Sequence, residues 1–266
     1  MKKRFNLEEF LSKYPHAKDE IESNNINTKN LEEIYCDYVG YRTSYENQAN
    51  FIANILREQP MIHSVKSRIK EADRLIEKII RKTEDRKGKY NNNFQFDLEN
   101  YKNEINDLIG IRVIHIFKDQ WQEIHEFIMN TWNVIEVTAN VREGDNTKIF
   151  HDLNIEVRSR ISGYRSVHYL VEFYPTNQKV IAEIQVRTIF EEGYGEIDHL
   201  LRYSSNDIPE LIKTNLLLFN RIVGSADEMA SLINNFSKNL IENNNKYEDI
   251  IKKQNIEIEK LRNKLE

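Results

Sequence analysis

The run Val180 to Arg187, VIAEIQVR, decides the fold. It is rich in aliphatic and β-branched residues and holds neither proline nor glycine, so it reads as a strand. Along Ala182-Glu183-Ile184-Gln185-Val186-Arg187 polar and apolar residues alternate, and an extended chain puts Glu183, Gln185 and Arg187 on one face and the aliphatics on the other. Similar runs occur at Leu108 to Phe117, Val134 to Val141, Leu153 to Arg158 and Val167 to Tyr174, which predicts about five strands. Between the first two, Trp121, Ile124, Phe127 and Ile128 recur at helical spacing, and helices resume from about Ile189. This order is met most economically by an α+β fold with a mixed, about five-stranded sheet flanked by helices.

Outward from that sheet the pattern is helical at both ends. From Asn6 to Glu58 the residues Leu31, Ile34, Tyr38, Tyr45, Ile52, Ile55 and Leu56 predict a helical N-terminal section ended before Pro60, with little functional content. A further helix is expected from Ser64 to Lys82. Val65, Ile69, Leu75, Ile76, Ile79 and Ile80 would be its core face, and Lys66, Arg68, Lys70, Arg74 and Lys78 its cationic face. The stretch Arg81 to Asn93, charged and then asparagine-rich, is expected to be a loop. Beyond Asn235 the positions Tyr247, Ile251, Gln254, Ile258, Leu261 and Leu265 follow a heptad-like spacing. That helix is either self-associating or docked, or exposed and frayed. Three regions result: residues 1–59, 60–226 and 227–266.

Composition narrows the class. Hydrophobic residues make up 39% and charged residues 30%, the balance of a soluble globular chain. The net charge of -5 argues against a nucleic-acid affinity spread over the whole surface, so any anion site must be local. Cys36 is the single cysteine, which rules out an intrachain disulfide and fits a reducing compartment. The basic start Met1 to Phe5 lacks the apolar run of a signal peptide, and no stretch approaches the ~18 apolar residues of a membrane span. A cytoplasmic protein with no membrane partner is expected.

Two carboxylates on neighbouring strands, Asp107 and Glu183, could share a hard cation. Magnesium suits such a pair, because it needs one or two carboxylates beside substrate phosphate oxygens. The alternative is a solvated sheet face with a Glu183 to Arg187 ion pair. Gly163, Tyr164, Arg165, Ser166, Val167 and His168 combine a flexible turn, an aromatic face, a guanidinium and an imidazole within one short segment. Such a ring can stack on a purine while arginine neutralises phosphate; alternatively Tyr164 packs as half-buried core and Arg165 faces water. Arg68 and Lys70 could both reach a polyanion, and Arg68 and Arg112 could stack on adenine.

Taken together, the basic stretch, Asp107-Leu108-Ile109-Gly110-Ile111-Arg112, the Gly163 to His168 segment and Glu183-Ile184-Gln185-Val186-Arg187-Thr188 resemble the RelA/SpoT synthetase domain, in the same order. The resemblance covers roughly Pro60 to Ala226. It implies the nucleotidyltransferase-like fold of that family in a small stand-alone (p)ppGpp synthetase, transferring pyrophosphate from ATP to the 3′-hydroxyl of GDP or GTP and releasing AMP. It assigns Mg2+ to Asp107 and Glu183. Adenine stacking falls to Arg68 and Arg112, ATP phosphates to Lys70 and Lys78, and guanine stacking to Tyr164. His168 and Arg165 are placed at the acceptor, and the implied assembly is a homo-oligomer. The family's lysine-rich segment with a Pro-Lys pair is replaced here by Arg158, Ser159, Arg160, Ile161 and Ser162, so Arg160 and Arg158 are the substitute cations. The adjacent His151 and Asp152 are read as a loop or strand edge rather than a hydrolase metal pair, and Glu192 and His199 as residues that could border the cleft. Two rival readings are a toxic relative that pyrophosphorylates the tRNA 3′ end, and a non-catalytic nucleotide sensor.

Overall fold

The structure is a computed structural model that describes residues 5–175, 179–204 and 209–263. Three helices open it: α1 (Leu7–Lys13), α2 (Ala17–Ser23) and α3 (Thr28–Arg57). Asn6 caps α1 by accepting from the amides of Glu8 and Glu9, and Asn27 caps α3 through the amide of Lys29. Leu31, Ile34, Tyr38, Ile52 and Leu56 of α3 are buried in the same hydrophobic cluster as the strands, so this section shares the core of the sheet.

There follow β1 (Ser64–Ile69), α4 (Ala72–Lys89), α5 (Tyr101–Glu104), β2 (Ile109–His115), α6 (Gln120–Thr131) and β3 (Asn133–Val141). Next come α7 (Lys148–Asp152), β4 (Glu156–Ser159), β5 (Ser166–Phe173), β6 (Val180–Thr188), α8 (Ile189–Ser204) and α9 (Glu210–Arg262). The sheet has six strands in the order β1-β2-β6-β5-β3-β4. The pairs β2/β6 and β3/β4 are parallel and the others antiparallel. α3 lies against β1 and β2, and α8 against β2 and β6.

The sixth strand corrects the sequence reading. Residues 64–69, expected to begin a helix, form β1 and pair with β2, with Lys66 opposite Arg112 and Arg68 opposite Gly110. The reason is a coincidence of periods. Val65 and Ile69 are four apart, a spacing that both a helix and a strand return to one face. The helical pattern proper begins with Leu75, Ile76, Ile79 and Ile80, all buried in α4. α4 in turn runs to Lys89, so most of the loop expected at Arg81 to Asn93 is helix. Leu153, expected to start a strand, follows α7, and the strand is Glu156–Ser159. His151 and Asp152 sit in α7, not in a loop or strand edge.

Thr188 ends β6 and starts α8 as a capping box. Its hydroxyl accepts from the Glu191 amide at 3.2 Å, and Glu191 accepts from the Thr188 amide at 2.9 Å. α9 is one unbroken helix of 53 residues. Leu216, Asn220 and Asp227 are buried on it, whereas Phe236, Leu240, Tyr247, Ile251, Ile258 and Leu261 are exposed. As far as Leu261 the heptad-like stretch is therefore helical and exposed, and Leu265 lies outside the described residues. Among the described residues no helix is long and apolar enough to cross a membrane.

Candidate active site

Asp107 lies in the turn that leads into β2, and two cations converge on it. Its Oδ2 meets Lys70 Nζ at 2.7 Å and Lys78 Nζ at 2.8 Å. Lys70 directly follows β1, where Tyr38 of α3 donates its hydroxyl to the Lys70 carbonyl at 2.5 Å; Lys78 projects from α4. Burial alone would raise the Asp107 carboxyl, but Lys70 and Lys78 outweigh it and hold the group down at about 2, so it is ionised at neutral pH. Burial pulls Lys70 below the usual lysine range, and the nearby charges of Lys78 and Arg68 add to this against the pull of Asp107. One carboxylate does not satisfy this crowd of cations. Meanwhile Asp107 Oδ1 is buried and accepts no hydrogen bond. An orphaned carboxylate oxygen beside under-compensated ammoniums suits a divalent cation and phosphate oxygens together.

Glu183 projects from β6, opposite Gly110 in the register. Its Oε1 is 3.2 Å from His168 Nδ1, and its Oε2 accepts from Gln185 Nε2 at 2.5 Å. Burial pushes this carboxyl up, but the hydrogen bond and charge of His168 win and hold it below the usual range. The charge of Asp107 opposes that shift, so the two acids feel one another across the site. The far nitrogen of His168 is 3.1 Å from the Tyr164 hydroxyl. In the other direction Arg187 donates to Gln185 Oε1 at 2.6 Å and pairs with Glu192 at 3.3 Å. The face of β6 is thus a connected polar row. Arg187 finds its carboxylate in Glu192, with Gln185 standing between it and Glu183.

A cavity of about 600 Å³ meets this row at Tyr164, Gln185 and Arg187, while Glu183 and His168 stand behind its lining. Arg68, Lys70, Arg74 and Lys78 line one side, Tyr164, Gln185 and Arg187 the other, with Asp107 and Arg112 between and His199 at the α8 wall. The alternation of β1 brings Arg68 here. Its side chain lies across Gly110, where a Cβ would stand 3.0 Å from Arg68 Nε. Arg112 pairs with Glu192 at 3.3 Å and makes a close ion pair with Glu196, both on α8. The Tyr164 ring is half-buried, with the Arg187 guanidinium 5.3 Å from its centroid. Burial raises its phenol above the usual tyrosine range, and Arg187 opposes this.

Two residues expected at the acceptor lie elsewhere. Arg165 is buried and held by Asp145 at 2.6 and 3.1 Å, lining a separate, mainly apolar cavity of about 410 Å³ with Trp121 and Phe150. Arg160 donates to Asn140 Oδ1 at 2.6 Å, and Arg158 pairs with Glu136 and Glu156. Conversely, Arg74, Gln185, Arg187 and Glu196 line the cavity without having been named as ligands. The period-two alternation already marked Gln185 and Arg187. Glu192 and Glu196 are four apart on α8, the spacing that puts both on one helix face.

Residues 67–208 match the family described as "Region found in RelA / SpoT proteins", over half of the 266-residue chain. The chain belongs to the RelA/SpoT family. GTP pyrophosphokinase YwaC of Bacillus subtilis (strain 168) is 25% identical over 181 residues, which are 66% of this chain and 75% of that protein. GTP pyrophosphokinase YjbM of the same strain is 26% identical over 211 residues, 76% of this chain and 82% of that one. Structures of the small alarmone synthetase 1 from Bacillus subtilis, one bound to its product pppGpp and one to AMPCPP, share the fold. Each has a TM-score of 0.53 at 23% identity; they cover 73% and 75% of this chain and 93% and 94% of theirs. The RelA/SpoT region contains every residue of the 600 Å³ cavity, from Arg68 to His199. α3 and α9 lie outside the region and buttress it, α3 through Tyr38 and α9 through contacts with the loop before β5.

Proposed function

We propose that this chain is a small (p)ppGpp synthetase that transfers pyrophosphate from ATP to the 3′-hydroxyl of GDP or GTP and releases AMP. The observation that carries the reading is Asp107. One of its oxygens gathers two lysines, the other is buried and unclaimed, and its charge is felt at Glu183. The donor set is all oxygen, which suits Mg2+ held by Asp107 and Glu183, and such an ion supplies charge neutralisation on the phosphate chain.

The chain's own residues divide the work. Lys70 and Lys78 meet the ATP phosphates, and Arg68 and Arg112 flank the adenine. Tyr164 stacks on guanine, with His168 beside it at the acceptor. As the acceptor O3′ bonds to the β-phosphorus, the bond from that phosphorus to the α-β bridging oxygen breaks and AMP leaves. The hydroxyl proton passes to Glu183, which His168 keeps ionised. Alignment and preset charge carry the rate, with no covalent enzyme intermediate. Arg165 and Arg160 act behind Tyr164, through Asp145 and Asn140, rather than on the nucleotide.

Residues 60–226 are the catalytic unit in this reading, and the exposed apolar side chains of α9 are the surface through which copies of the chain assemble as a homo-oligomer. A tRNA substrate would need basic residues outside the cleft, and Lys66, Arg81, Lys82, Arg86, Lys87 and Lys89 are the candidates, of which some are already paired. Arg86 pairs with Glu104, and Lys87 donates to the Asn24 carbonyl. The test is AMP release from labelled ATP with GDP, GTP or deacylated tRNA and magnesium. Release with GDP or GTP is expected. Release only with tRNA would move the chain to the toxic relatives, and tight binding without AMP would make it a sensor.

A further inference from the structure

The loop that presents Tyr164, residues 160–165, has no helix or strand of its own and is gripped from two helices. Tyr194 of α8 donates its hydroxyl to the Ser162 carbonyl. Asn220 of α9 donates its Nδ2 to the Gly163 carbonyl at 2.8 Å, and Asn220 is only 2% exposed. Two glycines make the contact possible. Gly163 has a φ of 75°, and a Cβ on it would stand 2.7 Å from the Asn220 amide group. A Cβ on Gly224, one turn along α9 from Asn220, would stand 2.8 Å from the Arg165 guanidinium, which Asp145 holds from its other side.

We propose that Asn220 and Gly224 form a latch through which α9 fixes the loop bearing Tyr164, so that Asn220 is a positioning residue for the acceptor nucleotide. The inference rests on the reading of Tyr164 as the guanine platform. Both latch residues are buried, and neither lines the 600 Å³ cavity. The latch acts by pre-paying order: a loop already held in its binding shape loses little entropy when the base stacks, and a loose one must be ordered at the cost of affinity. The effect falls on one substrate. The groups assigned to ATP stand on β1 or directly after it, on α4, on β2 and in the turn before β2, and none of the latch contacts reaches these elements.

The experiment uses the full chain as wild type, Asn220→Ala and Gly224→Ala, the last pressing on Arg165 instead of deleting a donor. Steady-state AMP release is measured with GDP and ATP varied in turn, and amide exchange of residues 160–166 is followed in nucleotide-free protein. Losing the buried hydrogen bond should raise both the KM for GDP and the loop exchange about tenfold, while kcat and the KM for ATP stay within about threefold. Tyr164→Ala should raise the KM for GDP, and adding Asn220→Ala to it should change little more. If Asn220→Ala fails to fold, Gly224→Ala carries the test. Unchanged loop exchange overturns the latch. So does a fall in kcat with no selective rise in the KM for GDP. If Tyr164→Ala shifts the KM for GDP and the latch variants do not, the latch fails and the synthetase reading stands. If wild type releases no AMP with any acceptor, the synthetase reading fails, and loop exchange alone still decides whether α9 clamps this segment.

Discussion

The imidazole Nδ1 of His168 lies 3.2 Å from the Glu183 carboxylate, a diagonal contact across the β5/β6 ladder in which His168 itself faces Gln185. This contact offsets burial and keeps Glu183 ionised below its ordinary value of 4.5. A carboxyl lowered in the folded state contributes fully above its ordinary value and is lost as pH falls through the lowered one. The acid limb of kcat/KM should therefore lie below pH 4.5 in wild type. His168→Ala should move it upward and lower kcat about a hundredfold, the scale of one positioned acid-base group. A pH profile of both proteins checks this, and an unmoved acid limb would contradict it.

Asp107→Asn should abolish turnover and also weaken the fold. It leaves Lys70 and Lys78 largely buried with no carboxylate, a loss of about 3 kcal/mol for a broken buried pair. Since the Asp107 carboxyl is lowered to about 2 from an ordinary 3.8, its share of stability is complete above pH 4 and fades toward pH 2. Urea denaturation at pH 7 and pH 3 measures both effects. Equal midpoints for the variant and wild type at pH 7 would refute the first.

Tyr164→Ala should raise the KM for the guanine acceptor about 10- to 100-fold, because stacking a base on an aromatic ring is worth about 1–3 kcal/mol. Tyr164→Phe keeps the ring and removes the hydroxyl that meets His168, so its KM should stay near that of wild type. A matching rise in the KM for ATP would show that the ring serves the donor instead.

Gly110→Ala puts a methyl group 3.0 Å from Arg68 Nε, a clash with the far part of a flexible side chain. The fold should lose less than about 1 kcal/mol while Arg68 is displaced, and the KM for ATP should rise several-fold. Thermal melting and ATP titration separate the two outcomes.

The sheet was legible in the chain because its strands alternate or run aliphatic. Trp121 to Trp132 and the N-terminal section were legible because their apolar spacing has no strand equivalent. β1 was hidden by the four-residue separation of Val65 and Ile69, and the split of the basic residues between β1 and α4 was hidden with it. Parity could have separated Tyr164 from Arg165. Tyr164 and His168 differ by four and meet, whereas Arg165 is odd to both and faces Asp145 on the other side. Asn220 and Gly224 carried no such signal. Their partners are distant in sequence, and only the packed chain brings α9 to the loop.

At about 1.5 Å per residue, the 53 residues of α9 make a rod about 80 Å long. It is seated on the body from Asn220, beside the Tyr164 loop, through Ser231 to Lys238, which meets Asp119 at 2.9 Å, and beyond that its apolar side chains are exposed. Residues 239 to 262, about 36 Å at that rise, therefore project past the last of these seats, and anything that holds them is moored through Lys238 and Ser231 to the same body that carries the nucleotide cleft.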